Sequence, residues 1–302
     1  MVENRERFKY GEGIMAILAF LNMVFLKLAG FLLSAILMWT VQAPANVAIE
    51  PEDPQNLQLQ VSVLSDVHMQ SFEYSGFQEL AKTLRDIEGS KVKQDALVFV
   101  GDNTMNGQIF EYLMFYGLLS RYSPVKSANT LVAMGNHDFF TAPTPQAAID
   151  RHNFFLRSYT GASAGKAYYS QVINGCTFVL LGEEEDDEIS EAQVAWLAGT
   201  LAAAEPGKPI FVFFHYNLYG PALDILEQYQ NVFLFNGHWH TPLDVWDGNG
   251  VTHVNLPGLH SHIGDEYAGE GLQIEIYADK VLLRGRNYMT GEWGEDYEIE
   301  LT

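Results

Sequence analysis

Short apolar runs separated by polar clusters set the pattern of this chain. Residues 57–64 alternate apolar and polar positions, as a strand does, and the run stops just before Asp66. Phe77, Leu80, Leu84 and Ile87 then fall at helical spacing, with Gly89 as a stop. Residues 96–100 form a continuous apolar run, which predicts a buried strand ending at Asp102, and residues 131–134 repeat the arrangement ahead of Asn136. Further runs cover 178–181, 210–214 and 232–235, the last two stopping just before His215 and His238. Ser190 and Gln193 make a capping-box pattern opening a helix that carries Val194, Leu197 and Leu201, and from Val251 onward the pattern is of strands and turns. Strands alternating with helices predict an α/β chain of sheet layers covered by helices. Polar residues recur at the downstream ends of the strands, where open sheets of this kind place ligands.

The amino terminus follows a different pattern. Residues 14–41 are strongly apolar and follow Arg5, Arg7 and Lys9, the arrangement of a membrane span whose amino end is cytoplasmic. Lys27 interrupts the run near its middle, where insertion costs roughly 2.5–3.5 kcal/mol, and Asn22 weakens its first half. Residues 28–41 have the length of a signal-peptide apolar region, Lys27 supplies a positive flank, and Ala43-Pro44-Ala45 resembles a small-residue cleavage site. The expected division is a signal peptide or membrane anchor over residues 1–45, a linker over 46–56 and one globular domain over 57–302. The globular part is then extracytoplasmic: secreted after cleavage near Ala45, or anchored with membrane contact through residues 14–41.

Charge and cysteine content narrow the function. A formal net charge of −21 disfavours duplex nucleic acid, whose binding draws on Lys and Arg, but does not exclude a small anion, since bound cations reverse the local field. Cys176 is the sole cysteine, which excludes an intramolecular disulfide and a cysteine-ligated zinc.

Five pieces carry the chemistry: Asp66-Val67-His68, Gly101-Asp102, Gly135-Asn136-His137-Asp138, His215, and Gly237-His238-Trp239-His240. Each alone reads as turn or cap chemistry. Together, each at the end of an expected strand, they supply imidazole nitrogen with carboxylate or amide oxygen and no thiolate. That set suits iron, manganese, zinc or similar first-row ions.

This order resembles the calcineurin-like metallophosphoesterase family, and the tail over residues 281–293 resembles a closing segment of its bacterial, exported members. The resemblance implies a two-sheet β-sandwich flanked by helices and two divalent or trivalent transition-metal ions. The first ion would take Asp66, His68 and His240, the second Asn136, His215 and His238, with Asp102 bridging both. It further implies hydrolysis of phosphate mono- or diesters, nucleotides included, by a metal-bridging hydroxide, with His137 free to protonate the leaving oxygen.

Two departures limit the resemblance. Phosphoprotein phosphatases follow the Gly-Asp with an orienting Asp and a phosphate-clamping Arg, where this chain has Met105 and Asn106. Purple acid phosphatases, which Gly101-Asp102-Asn103 with Gly107 also resembles, place a Tyr ligand at Met105, and a thioether cannot replace it. The alternatives are a noncatalytic metal-binding module on the same fold, and an acid phosphatase-like exported phosphomonoesterase. Asp138, Asn103, His260 and His262 are further candidates for supporting the ligands or lining the substrate cleft. The acidic run 183–188 reads as a solvated loop ahead of a helix. Tyr216, Tyr219 and Trp239 lie beside ligands in sequence, and read either as packing or as a surface for a nucleobase.

Overall fold

The computed structural model describes residues 47–71, 73, 75–184, 189–260 and 268–302. Every position of β1 (Leu59–Leu64), β2 (Ala96–Val100) and β3 (Thr130–Ala133) is buried, because alternate side chains serve two different cores. Val61, Val63, Val98 and Val100 belong to the core shared by the strands of both sheets, whereas Leu97, Phe99 and Val132 pack with the helices. The same division holds for β5 (Cys176–Leu180), β6 (Ile210–Phe213) and β7 (Val232–Asn236), which follow β4 (Tyr169–Ile173). Phe178, Phe211, Phe213, Phe233 and Phe235 fill the space between sheets, and Val179, Val212 and Leu234 serve the outer layer.

The remaining strands are β8 (Asp244–Gly248), β9 (Val251–Asn255), β10 (Glu270–Ile276), β11 (Lys280–Asn287) and β12 (Glu292–Glu300). One sheet has the order β12-β11-β10-β1-β2-β3, the other β4-β5-β6-β7-β9-β8. Within them β1-β2-β3 and β5-β6-β7-β9 are parallel, and the outer strands add on antiparallel. Helices α1 (Ser75–Glu88), α2 (Ile109–Tyr122) and α3 (Pro145–Thr160) cover the first sheet; α4 (Glu191–Ala202) and α5 (Pro221–Leu226) cover the second. This is the α/β, two-sheet sandwich flanked by helices that the sequence leads one to expect.

Several local expectations hold and several change. In α1 the side chains of Phe77, Leu80, Leu84 and Ile87 are all buried, and the Gly89 N–H closes the helix on Arg85 and Asp86. Ser190 caps α4 by accepting from the Gln193 N–H at 3.2 Å, but the return half of the capping box is absent. The Gln193 amide instead binds both main-chain groups of Gly182, tying α4 to the end of β5. Helix α2 escapes a periodicity reading because Tyr112, Met114, Phe115, Tyr116, Leu118 and Leu119 are all buried, leaving no clear polar face. From Val47 onward the stretch expected as a linker lies against the sandwich. Ile49 is fully buried, and Arg286, itself buried and paired with Asp86, donates to the Val47 carbonyl. The expected leader or anchor over residues 1–45, including the apolar run 14–41 and the Ala45 cleavage site, lies outside the described residues. Among the described residues no helix is long and apolar enough to cross a membrane.

His152 on α3 gives the core a pH dependence. It is 1% exposed beside Tyr112, and burial pushes its pKa down to about 4, partly offset by a hydrogen bond to the Val132 main chain. The unfolded chain takes up this proton near pH 6.5 and the folded chain only near 4. Stability therefore rises with pH across that window and is lost as pH falls through it. His152→Phe is expected to remove about 2 kcal/mol of the stability lost between pH 7.5 and pH 5, read from urea midpoints at the two pH values. An unchanged pH dependence would contradict this.

Candidate metal centre

The expected site residues lie just beyond the downstream ends of parallel strands: Asp66 and His68 after β1, Asp102 after β2, Asn136 and His137 after β3. His215 follows β6, and His238 and His240 follow β7. Beyond β1 the chain goes on pairing with the chain beyond β2. The N–H groups of Asp66, His68 and Met69 donate to the carbonyls of Gly101, Asp102 and Asn103 at 3.2, 2.9 and 3.1 Å. This zips the two loops together and sets Asp66 beside Asp102. Contacts across the sandwich then bring in the second sheet: His215 Nδ1 donates to the Val100 carbonyl at 2.8 Å, and the His238 N–H donates to Asp66 Oδ2 at 3.1 Å.

The backbone is strained at these positions. Asp66, His68, Asp102, His238 and His240 all have φ between 44° and 72°, in the left-handed region. The other described non-glycine residues there are Asn174, Asn231 and Asn249, a residue type that tolerates this conformation. Strain retained at so many candidate ligands, at roughly 1 kcal/mol or more each, is a mark of a working site. Two glycines make room. Gly101 has φ +87°, and a Cβ there would meet His215 Nδ1 at 2.5 Å; at Gly237 a Cβ would meet Ser65 Oγ and lie 2.6 Å from Asp66 Oδ2.

Each carboxylate uses one oxygen for the scaffold and presents the other to the imidazoles. Asp102 Oδ1 accepts from the His137 N–H at 2.9 Å, and Asp102 Oδ2 lies 3.2 Å from His215 Nε2. Asp66 Oδ2 is taken by His238, and Asp66 Oδ1 lies 3.2 Å from His240 Nε2 and 3.7 Å from His68 Nε2. Burial pushes both carboxyls up, but His215 and the neighbouring imidazoles outweigh it, holding Asp102 low and Asp66 well below the usual range. Burial pushes His215 down, yet Asp102 and Asp66 lift it to about 10. In the metal-free chain this environment favours the protonated form of His215, and a cation binding there would displace its proton.

The donor set fits metal ions. Potential ligand atoms come together as Asp66, His68 and His240, as Asp102, His215 and His238, and as His68, Asp102 and His137, within 4.8 Å in each group. His68 Nε2 and His240 Nε2 are 3.1 Å apart. Ligands at about 2.1 Å from one ion sit roughly 3.0–3.5 Å from each other, matching these separations. Asp66 Oδ1 and Asn136 Oδ1 are buried with no hydrogen-bond partner among the described residues, and the 3.2 Å approach of His215 Nε2 to Asp102 lacks hydrogen-bond geometry. Buried polar atoms left in this state await a ligand.

His137, in the third of these groups, sits at the solvent edge of the cluster. Its Nε2 is 4.0 Å from Asp102 Oδ2, and its side chain is 25% exposed where that of His215 is 1%. Its Nδ1 donates to the main-chain carbonyl of Met105 at 2.8 Å. That carbonyl fills the role for which the sequence offers no carboxylate, and as a main-chain atom it carries no sequence signal.

The supporting candidates have more structural places than expected. Asp138 is fully buried and accepts from the Asn103 N–H and amide, the Thr104 N–H and hydroxyl, and the Gly135 N–H. It ties the loop after β2 to the loop after β3. Burial and the Asp102 charge raise its pKa, and these donors pull it back. Asn103 is buried and also donates to the Ala133 carbonyl at 2.7 Å, so it is scaffold. His260, expected as cleft lining, is 4% exposed, with Nδ1 2.8 Å from Glu79 Oε2 and its ring 6.2 Å from that of His68. Glu79 has no motif around it, so the sequence gives no signal of this pairing. His262 and residues 185–188 of the acidic run lie outside the described residues.

Asp138→Ala would leave five buried donors without their acceptor. It is expected to lower the unfolding free energy by about 3 kcal/mol or more, measured by urea denaturation of the metal-free protein. A change below 1 kcal/mol would refute the scaffold role.

Residues 59–242 match the calcineurin-like phosphoesterase family. No curated protein sequence matches the chain. Among solved structures, a dimetal phosphatase from Danio rerio superposes with a TM-score of 0.60 at 16% identity, covering 82% of this chain and 100% of its own. A purple acid phosphatase from yellow lupin (Lupinus luteus) seeds gives 0.62 at 13% identity over 80% of this chain, which spans about half (53%) of that enzyme. GAP50, the anchor in the inner membrane complex of Plasmodium, gives 0.55 at 13% identity, covering 82% of this chain and 90% of its own. At these identities the likenesses establish the fold alone. The family match runs through well over half of the chain and through every candidate ligand from Asp66 to His240, and the chain belongs to the calcineurin-like phosphoesterase family.

Proposed function

We propose that this chain hydrolyses small phosphate esters with a pair of first-row transition-metal ions, manganese, iron or zinc, held at the centre described above. The observation that carries the reading is the convergence of the imidazoles of His68, His215, His238 and His240 on two buried carboxylates, with ligand atoms 3.1–3.2 Å apart. Asp66, His68 and His240 would hold one ion and Asn136, His215 and His238 the other. Asp102 faces both groups, lying 3.8 Å from His68 Nε2 and 3.2 Å from His215 Nε2. The chemistry such ions supply is activation of water and stabilisation of charge on phosphoryl oxygens.

The chain's own part is positioning and proton transfer. A carbonyl can only accept, so the Met105 contact fixes the proton on Nδ1 of His137 and leaves Nε2 to carry the proton that moves. Packing edge-on against His68, with centroids 4.6 Å apart, and against Phe140 at 4.3 Å holds the ring with its outer edge open to solvent. From there it can protonate a departing alkoxide.

Two substitutions test this reading. Asp102→Asn removes the carboxylate that faces both groups, and is expected to abolish most metal binding and most turnover, measured by elemental analysis and by hydrolysis of a nitrophenyl ester. Full metal content in this variant would contradict the assignment. Proton donation matters most for basic leaving groups, so His137→Ala is expected to slow an alkyl phosphate on the order of ten- to a hundredfold more than a nitrophenyl ester, with metal content near normal. Equal slowing of both esters, or loss of metal, would instead place His137 among the ligands or in the fold.

A further inference from the structure

We infer that the preferred substrate is a phosphodiester bearing a planar aromatic group, seated on Trp239 and Tyr219 beside the metal centre; this rests on the phosphoesterase reading above. Two independent observations carry it.

The first is the absence of fixed cations from the segments that build the site. Residues 209–279 contain no Lys or Arg, and neither do residues 60–81, 94–120 or 127–150, which together hold every candidate ligand. Arg151, the basic residue joined to the site loops, spends its guanidinium on the Gly107 carbonyl and the Thr141 hydroxyl. A monoester carries close to two charges at neutral pH and presents three unesterified oxygens. Beyond the ions themselves, the ligand-bearing segments offer no guanidinium or ammonium to the third unesterified oxygen of a monoester. A diester carries one charge and presents fewer such oxygens.

The second observation is a surface of aromatic rings left uncovered around the metal centre. Trp239 stands between His238 and His240 and is 54% exposed; Tyr219 is 72% exposed; Phe140, against His137, is 58% exposed. Asn217 pins the first two by their edges. Its Oδ1 accepts from Trp239 Nε1 at 3.3 Å, and its Nδ2 donates to the Tyr219 hydroxyl at 2.9 Å. With edges fixed and polar atoms used, what these rings offer is their faces, which suits a flat aromatic partner better than a flexible chain. Tyr219 and Asn217 also line a cavity of about 590 Å³ whose other walls include Val194, Ala198, Phe214, Leu218 and Ile225. Its volume and apolar walls are those of a small-molecule site. Phe214 faces the outer layer while His215 faces the site, so the cavity meets the metal centre only through Asn217 and Tyr219, which line it and join Trp239.

The test compares esters that share one leaving group. Phenyl, cyclohexyl and methyl 4-nitrophenyl phosphate, together with 4-nitrophenyl phosphate itself, are offered to the manganese-loaded full chain. Phenyl is expected to exceed methyl in kcat/KM roughly tenfold or more, chiefly through KM, and to exceed cyclohexyl, with the monoester slowest. Trp239→Ala is expected to collapse the phenyl-to-methyl ratio toward one while metal content is retained, and Trp239→Phe to keep most of it. A separate reading uses the metal-free chain: diphenyl phosphate should quench tryptophan fluorescence saturably, dimethyl phosphate should not, and Trp239→Ala should abolish the quench. Hydrolysis with no preference among the diesters, a cyclohexyl preference, or a faster monoester would overturn the inference while leaving the phosphoesterase reading in place. Hydrolysis of none of the four would remove both.

Discussion

Two carboxylates buried side by side govern this molecule. Asp66 and Asp102 are 0% and 2% exposed, at the place where the parallel strands of both sheets end. Neither can remain ionised there without positive charge close by, because desolvation and mutual repulsion both oppose it. In the metal-free chain the surrounding imidazoles meet that need, His215 above all, and the result is a pair of low carboxyl pKa values and a raised imidazole. Divalent cations would meet it better, since they could bind the same nitrogens and oxygens and take the place of a proton.

The rest of the architecture makes this juxtaposition possible. The sandwich brings the ends of β1, β2 and β3 against those of β6 and β7, and main-chain hydrogen bonds carry the pairing past the strands into the loops. Left-handed backbone at five candidate ligands turns alternate side chains inward, and Gly101 and Gly237 keep the neighbouring loops close enough to share them. Asp138 binds two of these loops, and Met105 lends a carbonyl to the partly exposed imidazole of His137. Strain and buried charge in this arrangement are offset by the large apolar core between and outside the sheets.

How much of this could be read in the chain follows from what kind of atom does the work. Strands buried on both faces announce themselves as unbroken apolar runs, so β2, β6 and β7 were legible nearly to the residue. The candidate ligands were legible because each follows such a run and because side chains of one chemical type recur in a fixed order. Main-chain partners were not: the carbonyls of Met105 and Val100 belong to residues whose identity says nothing of their role. Partners distant in sequence were also hidden. His260 looks like an exposed turn residue until Glu79, 181 positions away, is found against it. The stretch before β1 looks like a tether because its docking depends on Arg286, 239 positions from Val47. Helix α2 was lost for the opposite reason, being too apolar to show a period.

The proposed phosphate-ester chemistry would rest on two ions held about the Asp102 carboxylate, and anomalous diffraction from crystals loaded with manganese examines that directly. The account expects two peaks, about 3.5–4 Å apart, one within bonding distance of Asp66, His68 and His240 and the other of Asn136, His215 and His238, with Asp102 between them. A single peak, a pair placed away from Asp102, or no ordered manganese at saturating concentration would contradict it.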